Sequence, residues 1–165
     1  MEELSSKEFN RFFNHRVQFR GSSPLRKFVL VFNSSREENE TDEDSRPFRY
    51  VMMWVMYALM CQIRVLRISN FMQAYIEMDD GMPLVSRHLR KLDLSGLELK
   101  ECFLNFSSCP ALKWLSFSDH CCFDSVKKIV FQSIEYLCFY FCQFSEYHHT
   151  HIYAPSLVGL HLEGF

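Results

Sequence analysis

One recurring apolar pattern constrains the fold of this chain more than any other feature. In HLRKLDLSGLEL (88–99), leucines follow the pattern Leu-x-x-Leu-x-Leu. Four copies of this pattern, with phenylalanine or isoleucine replacing some leucines, lie 22 or 23 residues apart, and two more lie upstream at wider spacings. A generic α/β domain whose strands merely contain leucine does not explain so constant a spacing. The six copies begin at Leu25, Ile63, Leu89, Leu112, Ile134 and Leu157.

A repeat of this length and pattern is the signature of a leucine-rich repeat. In each copy the alternating segment should form a strand with its leucines facing inward, and one copy cannot bury that apolar face without its neighbours. The predicted fold is therefore an α/β leucine-rich-repeat solenoid of about six repeats, with a parallel sheet on the concave face and helices and turns on the convex face. Strands are predicted, in sequence order, near 28–30, 66–68, 91–95, 114–118, 136–140 and 159–162.

The chain has 165 residues and is 48% hydrophobic, which is enough for one domain with a core. We therefore predict a single leucine-rich-repeat domain over 1–165. Apolar residues at helical spacing predict an N-terminal helix over 5–19 and a second, largely buried helix over 46–62. The segment 34–46 has six acidic residues and no apolar one, which predicts a solvated, disordered loop. A calcium site is disfavoured there, because the glycine turn and closing glutamate of an EF-hand are missing.

Charge and composition exclude several classes of protein. The chain has 18 basic and 20 acidic residues, which argues against a general nucleic-acid binder. Its first residues are acidic and polar, unlike a secretory signal. The longest apolar run (50–60) is far shorter than the roughly 20 residues that span a bilayer. Without a signal, the seven cysteines are expected to be reduced. We therefore expect an intracellular protein, cytoplasmic or nuclear, with neither a membrane nor a nucleic-acid partner.

Catalytic motifs do not emerge from the sequence. It contains no phosphate-binding glycine loop, no Gly-x-Ser-x-Gly elbow and no metalloprotease helix, so we predict no enzyme activity and no cofactor. The alternative is a metal-binding enzyme that uses the Cys/His cluster near 138–151, although the spacing matches no common zinc finger. A further alternative is a non-functional truncated remnant. The possible metal ligands are Cys138, Cys142, His148, His149 and His151.

The outward positions of the predicted strands are the better candidates for a binding site. They alternate with the inward leucines and place aromatic and basic side chains on adjacent strands. Aromatic residues and arginine carry much of the binding energy at protein interfaces. The simpler interpretation is that Trp114 and Tyr136 only cover neighbouring strands. The residues predicted to bind a protein partner on the concave face are Arg67, Lys91, Trp114, Tyr136, Tyr140 and His161.

Several motifs occur in a distinctive order. FNRFFNHRVQFRGSSPLRKFVLVFNSS (9–35) is followed by the acidic loop and by VMMWVMYALMCQIRVLRIS (51–69). LRKLDLSGLELKE (89–101) and SSCPALKWLSF (107–117) come next. This order resembles the repeat domain of plant F-box/LRR proteins, and the resemblance extends from about residue 8 to residue 165.

The resemblance implies a function as well as a fold. In that family the F-box binds the adaptor of a cullin ubiquitin ligase, and the repeats present the protein to be ubiquitinated. The resemblance thus implies a protein-binding module like the substrate-recognition part of such a ligase receptor. No F-box pattern precedes Phe9, so we expect no binding of the cullin adaptor by this chain alone. We also expect the chain to be truncated at its C-terminus, because LHLEGF (160–165) lies in the middle of a repeat.

Overall fold

A computed structural model of the chain describes residues 25–32, 51–71, 76–78, 84–101 and 103–164. Within these ranges it contains one helix, α1 (Val51–Met60), and twelve strands. The strands are β1 (Lys27–Phe32), β2 (Val65–Asn70), β3 (Ile76–Met78), β4 (Lys91–Ser95), β5 (Leu97–Leu99), β6 (Trp114–Ser118), β7 (Cys122–Phe123), β8 (Lys128–Val130), β9 (Tyr136–Tyr140), β10 (Gln143–Phe144), β11 (His151–Tyr153) and β12 (Gly159–Glu163).

Six strands form one large parallel sheet in the order β1-β2-β4-β6-β9-β12. The order follows the chain, and every neighbouring pair is parallel. Leu66, Leu92, Leu115, Leu137 and Leu160 are paired in register across it. The predicted strand positions, their parallel direction and their sequential order are therefore confirmed. The protein is a parallel-sheet solenoid of about four turns.

The return path of each turn consists mainly of short strands and turns in the described part of the chain. A second parallel sheet has the order β10-β7-β5-β3, and β8 pairs with β11 in a third. The predicted second helix is confirmed over Val51–Met60, where six of its ten residues are buried. Its predicted first residues, the helix over 5–19 and the acidic loop over 34–46 lie outside the described residues. No helix in the described ranges is long and apolar enough to cross a membrane.

The core lies between the large sheet and the second sheet. Leu92, Leu115 and Leu137 are at most 1% exposed, which confirms their predicted inward orientation. Phenylalanine rings continue the packing, because Phe117 stacks on Phe139 at 5.2 Å between ring centroids. Phe123 contacts Phe117 edge-to-face at 5.0 Å and so joins the second sheet to the large sheet. The regular spacing of apolar residues in the sequence thus becomes continuous columns of side chains along the solenoid.

Left-handed backbone conformations turn the chain from the large sheet into the second sheet. Gly96, between β4 and β5, has a φ of 66°. A Cβ atom there would meet the backbone carbonyl oxygen of Asn70, so the turn requires glycine. The side-chain amide of Asn70 donates a hydrogen bond to the Gly96 carbonyl at 2.8 Å. After β6, Asp119 and His120 adopt positive φ, and the Asp119 carboxylate accepts a hydrogen bond from Ser95 Oγ at 2.7 Å.

Candidate functional site

Two aromatic rings stack on the outer face of the large sheet, the face directed away from the core. Trp114 on β6 and Tyr136 on β9 are paired in register, and their ring centroids are 5.1 Å apart with an interplanar angle of 23°. On the opposite side of Trp114, Lys91 Nζ lies 5.0 Å from the ring centroid. Trp114 is therefore held between a cation and a second ring, while 37% of its surface remains exposed.

Gly159 on β12 completes this arrangement. It is paired in register with Tyr136, and a Cβ atom at Gly159 would lie only 2.8 Å from Tyr136 Cδ1. The missing side chain therefore makes room for the tyrosine ring. We refer to Lys91, Trp114, Tyr136 and Gly159 as the stacked row. It crosses four neighbouring strands, a width of about 14 Å at the usual strand spacing.

A charged group adjoins the stacked row. Arg67 Nη2 donates to Asp93 Oδ2 at 3.0 Å, and Lys91 Nζ lies 3.5 Å from Asp93 Oδ1. The Asp93 side chain is 14% exposed, whereas the Arg67 side chain is 47% exposed. The carboxylate thus connects β2 to β4 and orients both basic side chains. Four of the predicted partner-binding residues, Arg67, Lys91, Trp114 and Tyr136, therefore form one continuous surface.

The other two predicted residues form a separate pair. The rings of Tyr140 and His161 are 4.9 Å apart, and His161 Nε2 lies 3.3 Å from Glu163 Oε2. Tyr140 follows Tyr136 by four residues on β9, which corresponds to about 13 Å along a strand. A hydrogen bond with Cys138 raises the pKa of Tyr140. The tyrosine is therefore a neutral hydroxyl at physiological pH, suited to hydrogen bonding rather than to acid–base chemistry.

A further row of residues, which we call the edge row, was not predicted from the sequence. Each of its members immediately precedes a strand of the large sheet. The carbonyl oxygen of Arg26 accepts hydrogen bonds from the amides of Arg64 and Val65 at 3.0 and 3.1 Å, and the same double hydrogen bond recurs at every later step across the sheet. This ladder fixes the row in register. Its members are Arg26, Arg64, Arg90, Lys113, Glu135 and Val158.

The charge of the side chains in the edge row changes along the solenoid. Arg26, Arg64 and Arg90 are exposed, and none of them forms an ion pair with another described residue. Lys113 Nζ, by contrast, lies 2.7 Å from Glu135 Oε1 and is neutralised by it. The row thus runs from basic to neutral to apolar. Aligning the copies two positions before their second inward residue would have found it in the sequence.

The possible metal ligands are not brought together. Cys138 is a buried strand residue, the Cys142 thiol lies 3.7 Å from the Tyr140 carbonyl oxygen, and His148 Nε2 lies 3.0 Å from the Asp124 carbonyl oxygen. No group of three or more His, Cys, Asp or Glu side chains among the described residues is arranged to hold a metal ion. Burial raises the pKa of Cys142 to about 12, which disfavours a thiolate nucleophile at neutral pH.

The stacked parallel strands place the protein among parallel-sheet solenoids. Comparison of the chain with models of known families, with curated proteins and with solved structures finds no significant match. A family and a function for this solenoid are therefore proposals, and they depend on its repeats and on the side chains of its large sheet.

Proposed function

We propose that the protein is a leucine-rich-repeat module that binds another protein through the outer face of its large sheet, the concave face of such a fold. The stacked row carries this proposal. Trp114 and Tyr136 remain more than a third exposed although each packs against the neighbouring strand. Large aromatic side chains that are already held in place lose little conformational entropy when a partner binds.

The repeat class is supported by the spacing of the inward residues. Copies that are 22 or 23 residues apart add one strand each to the large sheet, with equivalent residues in register. A solenoid of this period with short returns fits the leucine-rich-repeat class, and six copies correspond to the six strands of the sheet. The α/β class with six repeats is thus part of the proposal.

The order of the sequence motifs suggests the kind of partner. We propose that the module resembles the substrate-recognition part of an F-box ubiquitin-ligase receptor, so its partner would be a protein to be ubiquitinated. The 165-residue chain by itself should not bind the cullin adaptor, since its described residues form repeats that present a sheet surface. A pull-down with purified adaptor tests this expectation, and saturable binding of the adaptor would contradict it.

Binding by the outer face can be tested with matched aromatic variants. The double variant Trp114→Ala/Tyr136→Ala removes the stacked rings, and Tyr147→Ala/Tyr153→Ala removes two exposed rings elsewhere, at 92% and 59% exposure. A protein captured by the wild type should be purified and titrated against all three chains. We expect the first variant to weaken binding at least about ten-fold and the second to leave it unchanged. Equal affinities for all three folded chains would overturn the proposal.

A further inference from the structure

The first three strands of the large sheet concentrate positive charge, although the chain has a formal net charge of −2. They and the residues that precede them bear a single carboxylate, Asp93, and it is already paired with Arg67 and Lys91. The six acidic residues in 34–46 offset this concentration in the total charge. The basic side chains are Arg26 and Lys27, Arg64 and Arg67, and Arg90 and Lys91.

The arginines of the edge row are arranged to receive anions. Arg26, Arg64 and Arg90 immediately precede three neighbouring strands, so their backbones are about 4.8 Å apart and fixed by the hydrogen-bond ladder. Each guanidinium presents a planar fork of donors that matches a carboxylate. Because no described acidic side chain pairs with them, these donors are available to a partner.

We propose that this basic edge binds an acidic, extended peptide segment of the partner protein. The inference rests on the proposed function and deepens it by naming the partner's chemistry. Carboxylates of the segment would lie against Arg26, Arg64 and Arg90, and its following residues would reach the neutral Lys113–Glu135 pair and the apolar Val158, which is 74% exposed. The partner segment is therefore acidic at one end and apolar at the other.

The same surface fits a nucleic acid poorly. Proteins bind single strands by stacking bases on exposed aromatic faces. Lys91 and Tyr136 cover the two faces of Trp114, and Trp114 covers one face of Tyr136, so most of the aromatic face area of the stacked row is already occupied. A polyanion of uniform charge would also find no free cation at the neutral Lys113–Glu135 pair or at Val158 further along the edge row. These two features favour a peptide with localised carboxylates.

Fluorescence anisotropy with the full chain tests the inference. The probe is a fluorescein-labelled peptide of alternating glutamate and glycine, and the matched neutral peptide has glutamine in place of glutamate. We expect saturable binding of the acidic peptide only, weakened at high salt. Arg64→Gln/Arg90→Gln should weaken it at least about ten-fold. The control Lys127→Gln/Lys128→Gln makes the same charge change at two exposed residues by β8 and should bind like the wild type.

Three results would overturn the inference. The first is equal weakening by both double variants, which would indicate a response to net charge alone. The second is tighter binding of an oligothymidine of similar length that is lost in Arg64→Gln/Arg90→Gln, which would indicate a nucleic-acid site. The third is a natural partner whose binding requires Trp114 and Tyr136 but is unchanged in Arg64→Gln/Arg90→Gln. In that case the proposed function stands and only the acidic segment is rejected.

Discussion

At the residue scale, glycine has two different roles on this sheet. At Gly96 the backbone conformation and the nearby Asn70 carbonyl both exclude a side chain. At Gly159 the backbone is ordinary, and the missing side chain instead accommodates the Tyr136 ring. The first glycine therefore shapes the fold, and the second shapes the candidate binding surface.

Gly96→Ala should destabilise the protein by about 1–3 kcal/mol, because alanine is strained at positive φ and its Cβ would displace the Asn70 carbonyl. Gly159→Ala is the matched substitution, and it should cost less because the φ of Gly159 is ordinary and only a side chain, the Tyr136 ring, must shift. Urea denaturation of both variants, followed by circular dichroism, measures the difference. Equal losses of stability would show that the turn at Gly96 adapts to a side chain.

Glu101 provides a pH-dependent contact between neighbouring turns. Its carboxylate accepts hydrogen bonds from the amides of Lys127 and Lys128 at 2.7 and 3.0 Å, and these bonds lower its pKa below the ordinary value of a glutamate. A lowered pKa adds stability above the unfolded value, and that stability disappears as the pH falls through the folded value. Glu101→Gln should therefore lower the urea midpoint more at pH 7 than near pH 3.

The effect at Glu101 should stay below about 1 kcal/mol, because the side chain is exposed and water screens it. Glu146→Gln, at another exposed glutamate, is the control and should not change the midpoint at either pH. A loss of stability in Glu101→Gln that persisted undiminished near pH 3 would mean that the contact does not depend on the charge of the carboxylate.

At the scale of elements, the large sheet was predictable and the second sheet was not. Strands such as β6 alternate inward and outward residues, and four copies at constant spacing reveal the alternation. β7 and β10 have only two residues each, which is too short for any period to be visible. They become strands because the preceding turns bring them alongside their neighbours. Pairing across turns is a tertiary effect that local sequence does not encode.

Phe123 makes two of the ring contacts that join these two sheets. Its ring lies 5.0 Å from Phe117, 5.7 Å from Phe139 and 4.8 Å from Phe144, and it is fully buried. Phe123→Ala should cost about 3–5 kcal/mol, since it removes these contacts and leaves a cavity. Val130→Ala, at a partly exposed strand residue, should change stability much less. Thermal and urea denaturation measure both, and similar costs would place the main inter-sheet contact elsewhere.

At the scale of the whole molecule, the outer face changes along the solenoid axis. It is basic at β1, β2 and β4 and aromatic at β6 and β9, and on β12 it carries Gly159, His161 and Glu163. The six predicted site residues are distributed along this face, and four of them form one continuous surface. The basic edge was missed because the net charge of the chain sums residues from distant positions. Charge summed over a sequence does not show which residues share one edge of a sheet.

The last strand exposes apolar residues that earlier strands bury. Leu160 and Leu162 on β12 are 54% and 57% exposed, whereas Leu137 and Phe139, their partners in register on β9, are 1% exposed. A cavity of about 320 Å³ lies next to Leu162. Within the described residues, β12 pairs on one side only. An apolar sheet flank with an unpaired edge promotes association between chains.

The 165-residue chain should therefore self-associate, with a mass that rises with concentration in light-scattering chromatography. Leu160→Lys/Leu162→Lys should increase the monomer fraction, because two charges on the flank oppose its burial against a second copy. Val85→Lys/Tyr147→Lys adds the same charges at residues that are 55% and 92% exposed elsewhere, and it should associate like the wild type. If the wild type is a monomer at all concentrations, the β12 flank is covered within a single molecule. If both lysine variants increase the monomer fraction equally, net charge rather than this flank controls association.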